Sequence, residues 1–249
     1  MRASAFEYRF RWPLHGVIYA LGFWAPWTFF LAPLSSRQTL WNVGMGELAR
    51  TRLLSFDDSA IALLCAGIFF LGVGAWLRVW GSAYVGSTVV HSSSMHGEAL
   101  LADGPYRRTR NPLYLGTLLH TFGVALVMPV TGALFAIVLI WLFQVRLALA
   151  EEPFLTARFG QPYRDYAARV PRFLPALTPR VPASGMHPRW LQSCLGEIYM
   201  IGAFVTFAVF GWSFNSLTLI KGIVISLGLS LVMRAFIPRP KANTTRTAA

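Results

Sequence analysis

The sequence predicts an all-α integral membrane protein with about six transmembrane helices, and two observations support this fold class. First, 55% of the 249 residues are hydrophobic and only 13% are charged, whereas soluble domains have roughly 45–50% apolar and about 25% charged residues. Second, the apolar residues are gathered into runs that approach the roughly 20 residues a helix needs to cross a bilayer. The chain is therefore suited to a lipid environment.

Five apolar runs reach this length, and a sixth is slightly shorter. The five are residues 13–32, 59–80, 131–149, 195–214 and 217–236, and the sixth is residues 112–128. Pro129 follows the sixth run, and proline breaks a helix because it lacks a backbone N–H. We therefore expect the sixth run and the run after it to form a tight helical hairpin. Asn215 and Ser216 predict another short turn between the last two helices.

The positive charge of the chain indicates its orientation. The formal net charge is +12, but the arginines lie in short clusters between apolar runs, which argues against nucleic-acid binding. Lys and Arg are retained preferentially on the cytoplasmic side of a membrane. We therefore expect both termini and the polar segments 81–111 and 150–194 to be cytoplasmic, and segment 33–58 to be outside.

The cysteine pattern does not predict a metal site. Cys65 and Cys194 both lie within apolar runs, without Cys-x-x-Cys or Cys/His spacing. We therefore expect neither a metal ion nor a disulfide framework.

The first chemically informative segment is residues 103–116. Gly104-Pro105 predicts a turn, and Pro112 suits the first turn of a helix, where its missing N–H is not needed. The N-terminus of a helix attracts carboxylates and phosphates through its free N–H groups and its dipole. The alternative is a positively charged membrane anchor followed by the start of a helix.

The second informative segment follows the hairpin and begins with two adjacent acidic residues. Glu151 and Glu152 are two of only ten acidic residues, on a face that otherwise gathers arginines. A cationic ligand would explain the pair. The alternative is a surface ion-pair network in which the carboxylates neutralise arginines such as Arg107 or Arg146.

Together, the two segments resemble the isoprenylcysteine carboxyl methyltransferase and phospholipid methyltransferase superfamily of membrane enzymes. The resemblance covers about residues 72–176 and rests on Gly104, Tyr106, Arg110, Pro112, Tyr114 and Gly116, a helical hairpin, Glu151-Glu152, Phe159-Gly160, Tyr163, Tyr166, Val170-Pro171 and Pro175. It implies a pocket for S-adenosylmethionine (SAM) at the cytoplasmic end of the hairpin and a methyl acceptor that partitions into the bilayer. We accordingly divide the chain into an N-terminal part at 1–58, a methyltransferase core at 59–180 and a C-terminal part at 181–249.

The resemblance also assigns candidate site residues. The positions that match the family's cofactor contacts are His91, Glu98, Ala99, Leu100, Leu101, Tyr106, Asn111, Pro112, Leu113, Tyr114 and Glu151. As catalytic candidates we take Arg110 for the carboxylate of SAM, Glu152 as a support or substitute for Glu151, and Arg146 for a carboxylate on the acceptor.

The sequence departs from the family pattern at two positions. Asn111 replaces the histidine of Arg-His-Pro, which preserves hydrogen bonding but removes a titratable ring. Leu147 stands where isoprenylcysteine enzymes place an arginine, and Arg146 is one position away, about 100° around a helix. We therefore prefer a phospholipid amine or a small hydrophobic thiol, amine or hydroxyl as the acceptor, with a prenylcysteine as the alternative.

Two polar residues within apolar runs also need explanation. We expect Glu197, near the end of a run, to extend towards the membrane interface, and a buried His120 to be hydrogen-bonded by Thr117 or Thr121. Two other functions are open: a sterol-reductase-like enzyme that uses NADPH, and a membrane scaffold or transporter without catalytic activity. The glutamate pair argues against a phosphate-rich cofactor, and the sequence lacks the internal repeats typical of transporters.

Overall fold

The computed structural model describes residues 2–24, 38–85 and 102–236, with side chains through residue 233. Within these ranges the regular structure is helical, as predicted, apart from an isolated bridge between Thr39 and Pro129. The helices are α1 (Ala5–Arg9), α2 (Arg11–Trp24), α3 (Leu40–Arg50), α4 (Phe56–Val85), α5 (Pro112–Ala125), α6 (Val130–Phe159), α7 (Gln161–Arg169), α8 (Trp190–Gly196), α9 (Ile198–Ser213) and α10 (Ser216–Phe236), with a 3₁₀ turn at Gly104–Arg107.

Three of the described helices are long and apolar enough to cross a membrane, namely α4, α6 and α10. Helices α8 and α9 would add a fourth span if they are counted together, although the chain bends by 71° between them. Helix α5 has 14 residues and so extends only about 21 Å. The first predicted run continues from α2 into residues 25–32, which lie outside the described residues. Six spans therefore remain a prediction, while the integral membrane character is supported.

The predicted helical hairpin is present. Helix α5 ends at Ala125, and α6 begins at Val130 directly after Pro129, where we expected the break. The sequence predicts a polar loop at 33–58, but α3 forms within it. Thr39 caps this helix by accepting a hydrogen bond from the Asn42 N–H at 3.2 Å.

Close packing of α4 against α5 sets the position of the hairpin. A Cβ atom on Gly74 would lie 2.7 Å from the carbonyl oxygen of Gly116, and one on Gly123 would lie 2.7 Å from that of Gly67. Only glycine permits such an approach, which is typical of helix pairs in membranes. Buried residues of α4, α5, α6 and α9 fill the adjoining core: Leu71, Val124, Ala125, Met128, Ala133, Ala136 and Phe207.

A buried ion pair attaches the C-terminal helices to this core. Glu197 lies at the bend between α8 and α9, and its two carboxylate oxygens accept hydrogen bonds from Nε and Nη2 of Arg78 at 2.7 and 2.8 Å. The expectation that Glu197 extends to the interface is therefore wrong. The helix bend directs its side chain inwards, where the arginine of α4 compensates its charge.

His120 also differs from expectation. It is buried beside Tyr199, with ring centroids 6.0 Å apart. Thr117 and Thr121 donate instead to backbone carbonyls of α5. Neither ring nitrogen of His120 makes a hydrogen bond of ordinary geometry to any described residue, and the backbone of Met200 supplies a weaker polar contact.

Candidate active site

Two tyrosine hydroxyls from distant parts of the chain bind the carboxylate of Glu151. Tyr114 donates to Oε1 at 2.5 Å, and Tyr8 donates to the same oxygen at 2.8 Å. No donor among the described residues reaches the second oxygen, Oε2. Among the described residues, the hydrogen bonds that Glu151 accepts therefore all fall on one oxygen.

Three helices bring these groups together. Glu151 lies near the end of α6, and Tyr114 lies in the first turn of α5, which begins at Pro112 as expected. Tyr8 lies in α1, far from both in sequence. Leu113 packs against Gly81 of α4, since a Cβ there would lie 2.9 Å from its Cδ2. The start of α5, which includes the predicted cofactor contacts Pro112, Leu113 and Tyr114, is thereby fixed beside Glu151.

The N-terminal segment is attached to α6 by its own set of contacts. Glu7 binds Arg146 through two hydrogen bonds at 3.0 and 2.8 Å, and the Ala3 N–H donates to the Arg146 carbonyl at 3.0 Å. The hydrogen bond from Arg146 and those from Ser4 lower the pKa of Glu7 from 4.5 to about 2. Arg146 is thus already paired, and a role with the acceptor would require it to leave Glu7.

Arg11 adds a positive charge near Glu151. Its guanidinium carbon lies 4.4 Å from the centre of the Tyr8 ring, and Nη1 donates to the Tyr8 carbonyl at 3.2 Å. The charge of Arg11 is close enough to act on Glu151. The ring and backbone of Tyr8 are therefore held from one side by Arg11 while its hydroxyl is held by the carboxylate.

Glu152 has very different partners from its neighbour. Its carboxylate accepts hydrogen bonds from Nε and Nη2 of Arg172 at 2.7 and 2.8 Å, and from Nη1 of Arg110 at 2.8 Å. Two arginines therefore neutralise this carboxylate. The ion-pair alternative considered for the glutamate pair describes Glu152, although its partners are not the arginines we named.

The segment after α7 runs alongside the segment before α5 and is hydrogen-bonded to it. The Asn111 side chain donates to the Arg172 carbonyl at 3.0 Å, and the Arg110 N–H donates to the Pro171 carbonyl at 2.9 Å. Further along, the N–H groups of Ala176 and Arg180 donate to the carbonyls of Arg108 and Arg107, respectively. The two segments that carry the family motifs are thus directly paired, which supports the expectation that they lie on one face.

Tyr106 and Asp103, which precede α5 in the sequence, are also held in place by hydrogen bonds. Tyr166 of α7 donates to the Tyr106 carbonyl at 2.8 Å, and Tyr106 is buried. Asp103 accepts hydrogen bonds from the N–H groups of Ser184 and Met186, both at 2.9 Å. Burial alone would raise the pKa of Asp103, but the hydrogen bonds from Ser184 and its neighbours lower it below its ordinary value.

Several predicted contacts lie outside the described residues, namely His91, Glu98, Ala99, Leu100 and Leu101. A cavity of about 390 Å³ opens near Ala102, between α7 and residues 181–184. None of the residues that bind Glu151 lines it. A cofactor pocket at Glu151 thus remains a prediction, as do the roles of all the candidate site residues.

Two residues at the site were not predicted from the sequence. Tyr8 contacts Glu151 across 143 positions, and Arg172 contacts Glu152 across 20. Arg172 follows Val170-Pro171 within the motif we quoted, so its position carried a usable signal. Tyr8 lies outside the motif region, and its only signal was a tyrosine among arginines before the first apolar run.

Comparisons with known proteins agree with the motif-based resemblance. The family model described as phospholipid methyltransferase matches residues 62–162. Protein-S-isoprenylcysteine O-methyltransferase of Schizosaccharomyces pombe is 30% identical over 124 residues, 49% of this chain and 50% of its own. The enzyme of that name from Rattus norvegicus is 32% identical over 154 residues, 59% of this chain and 51% of its own.

A differently named relative matches over a similar length. Nickel-cobalt-cadmium resistance protein NccN of Alcaligenes xylosoxydans xylosoxydans is 26% identical over 158 residues, 59% of this chain and 70% of its own. No solved structure matches significantly. The chain spans about half the length of the first curated relatives it matches. These matches confirm the superfamily resemblance predicted from the motifs, and residues 62–162 are the part of the chain that is similar to the phospholipid methyltransferase family.

Proposed function

We propose that this protein is a SAM-dependent methyltransferase that acts at the cytoplasmic membrane face on an acceptor dissolved in the bilayer. The observation that carries this proposal is the contrast between the two glutamates. Among the described residues, two arginines pair with Glu152, whereas the hydrogen bonds to Glu151 come from two tyrosine hydroxyls and leave its Oε2 without a donor. A carboxylate in this state suits a cationic ligand.

The residues around Glu151 fit the remaining groups of SAM. The start of α5 offers free backbone N–H groups and a positive dipole end to the ligand's carboxylate. Arg110 uses Nη1 for Glu152, but its buried Nε has no hydrogen-bond partner among the described residues. A buried donor in this state is costly unless a ligand completes it. The start of α5 and Arg110 would therefore hold the carboxylate, while Glu151 holds a cationic group.

When bound, SAM supplies an electrophilic methyl group on a sulfonium. The chain's part is to align an acceptor with that methyl and to exclude water, which accounts for much of the acceleration in such displacements. An anionic acceptor needs no base, whereas a neutral amine or hydroxyl must lose its proton.

The acceptor is proposed from the electrostatics of α6. Leu147 is fully buried, and Arg146 is engaged by Glu7. Because neither position supplies an unpaired cation, an acceptor carboxylate next to Glu151 would be costly through desolvation and like-charge repulsion. A phospholipid amine or a small hydrophobic thiol, amine or hydroxyl therefore fits this surface better than a prenylcysteine.

A prenylcysteine is the second candidate, because two of the relatives described above bear the name of isoprenylcysteine methyltransferases. It would require Arg146 to exchange Glu7 for the substrate carboxylate. Turnover of N-acetyl-farnesylcysteine that is abolished by Arg146→Ala, but only reduced by Glu7→Gln, which breaks the same ion pair, would favour it.

Isothermal titration with SAM and with NADPH tests the cofactor. Wild-type protein should bind SAM and not NADPH, and Glu151→Gln should weaken SAM binding at least about tenfold, or about 1.4 kcal/mol. Glu47→Gln is the matched control, because Glu47 is exposed on α3 and pairs with the exposed Arg50. Binding of NADPH in place of SAM would favour the reductase alternative, and unchanged SAM affinity in Glu151→Gln would remove Glu151 from the site.

A further inference from the structure

The N-terminal segment contributes to the candidate site although it lies outside the matched family region. The family match begins at residue 62, whereas Tyr8 in α1 donates directly to Oε1 of Glu151 at 2.8 Å. Tyr8 is 8% exposed and therefore almost fully enclosed. This part of the chain consequently has a contact with the carboxylate that no motif assigns.

We propose that Tyr8 is a positioning residue that orients the carboxylate of Glu151, and that the Glu7–Arg146 pair holds α1 in place for this purpose. The proposal rests on the proposed function, because it concerns the carboxylate that would meet the cation of SAM. It adds Tyr8, and the helix α1 that carries it, to that site.

The geometry of the Glu151 carboxylate supports this role for Tyr8. The hydroxyls of Tyr8 and Tyr114 converge on a single oxygen of Glu151. A hydrogen bond from Tyr114 alone would fix the position of Oε1, but the carboxyl group could still rotate about that hydrogen bond. A second donor from another helix restricts this rotation and so directs Oε2 consistently.

Helix α1 is anchored at both ends. At its start, Ser4 and Glu7 form a reciprocal capping box, with hydrogen bonds of 3.2 and 2.6 Å. The same Glu7 binds Arg146 of α6, five residues before Glu151. At its end, Arg11 lies over the Tyr8 ring. A helix of five residues is too short to be stable alone, so these contacts determine where the Tyr8 hydroxyl lies.

Arg146, which binds Glu7, and Glu151, which binds Tyr8, lie on different sides of α6. Arg146 and Glu151 are five positions apart, about 500° or 140° net around the helix. Glu7 and Tyr8 therefore contact two different sides of α6 from adjacent positions in α1. A segment that only covered the membrane surface would not need two polar contacts on different sides of one helix.

The test compares two tyrosine-to-phenylalanine variants in full-length protein by isothermal titration with SAM. Tyr8→Phe removes the hydroxyl next to Glu151 with little change in shape, and we expect SAM affinity to fall about tenfold. Tyr19→Phe is the matched control, because its hydroxyl also makes a partly buried contact between helices, to Thr121 at 2.7 Å, away from Glu151. It should change SAM affinity less than about twofold.

A double-mutant cycle separates positioning from a merely structural role. If Tyr8 acts through Glu151, Tyr8→Phe should weaken SAM binding less than about twofold further in the Glu151→Gln background. An equal loss in both backgrounds, or no loss in wild type, would overturn the proposal. If Tyr8→Phe does not fold, Glu7→Gln supplies the second test: it should also weaken SAM binding, and unchanged affinity would overturn the proposal.

The outcomes distinguish this proposal from the proposed function. If wild-type protein does not bind SAM, the proposed function fails and the proposal about Tyr8 fails with it. If SAM binds and Glu151→Gln weakens it while Tyr8→Phe and Glu7→Gln do not, only the role of α1 fails.

Discussion

Replacement of Glu197 by glutamine should destabilise the protein strongly. Glu197 and Arg78 have side chains that are 3% and 4% exposed. Removing one partner of a buried ion pair leaves the other charge uncompensated, which costs about 3–5 kcal/mol. Glu47 and Arg50 form the comparison, because they are 61% and 78% exposed. An exposed pair contributes about 0.2–1 kcal/mol, so Glu47→Gln should have little effect.

The assay is heating of fluorescently tagged variants in detergent, followed by size-exclusion chromatography of the folded fraction. For a chain of this length, about 3 kcal/mol corresponds to a fall in Tm of about 6 °C or more. Because unfolding of membrane proteins in detergent is often irreversible, all variants are heated at one rate. The double replacement Arg78→Met with Glu197→Leu should recover most of the loss, since apolar residues can substitute for a buried pair. Equal Tm values for Glu197→Gln and Glu47→Gln would refute the reasoning.

Three other predictions address packing, docking of α1 and topology. Gly74→Ala should lower Tm by the equivalent of about 1–3 kcal/mol, because its Cβ would lie 2.7 Å from backbone atoms of α5. Gly16→Ala is the control and should not lower Tm, because a Cβ atom on Gly16 would meet no atom of another helix among the described residues within 4 Å. The hydrogen bonds from Arg146 and Ser4 lower the pKa of Glu7 from 4.5 to about 2, so its contribution to docking should be complete above about pH 4.5 and be lost as pH falls through about 2. Protection factors of the amides of residues 3–10, which correct for the intrinsic pH dependence of exchange, should therefore fall between pH 6 and pH 2, and equal protection factors would contradict this. Cysteine labelling should find residues 90, 165 and 245 cytoplasmic and residue 45 outside, and an external residue 165 would contradict a cytosolic cofactor site.

The sequence predicted the parts of the fold that depend on local composition. Apolar runs predicted where α4, α6 and α10 lie, and Pro129 predicted the break of the hairpin, because both signals act through neighbouring residues. Helix α3 was not predicted, because its short amphipathic pattern lies within a segment that is polar on average. The inward position of Glu197 was not predicted either, since its partner Arg78 lies 119 positions earlier.

In the candidate site, too, the features that depend on residues distant in sequence were not predicted. The order of the family motifs predicted that the start of α5 and the end of α6 lie together, and Tyr114 does contact Glu151. The resemblance assigned the cofactor contact to Glu151 and left Glu152 as its support or substitute. It did not predict that Arg110 and Arg172 pair with Glu152, because that depends on which arginines reach each carboxylate in three dimensions. Tyr8 was missed for the same reason: its partner lies on a helix 143 positions away.

Transfer of a labelled methyl group tests the central claim most directly. Purified protein is incubated with methyl-tritiated SAM and, separately, with membrane lipid extract, small hydrophobic thiols and N-acetyl-farnesylcysteine. Wild-type protein and Glu47→Gln should transfer label to one of these acceptors, most strongly to extracted lipid or a small thiol, and Glu151→Gln should transfer at least about tenfold less. Equal transfer by Glu151→Gln and wild-type protein, or no transfer to any acceptor by protein that remains folded, would contradict the account.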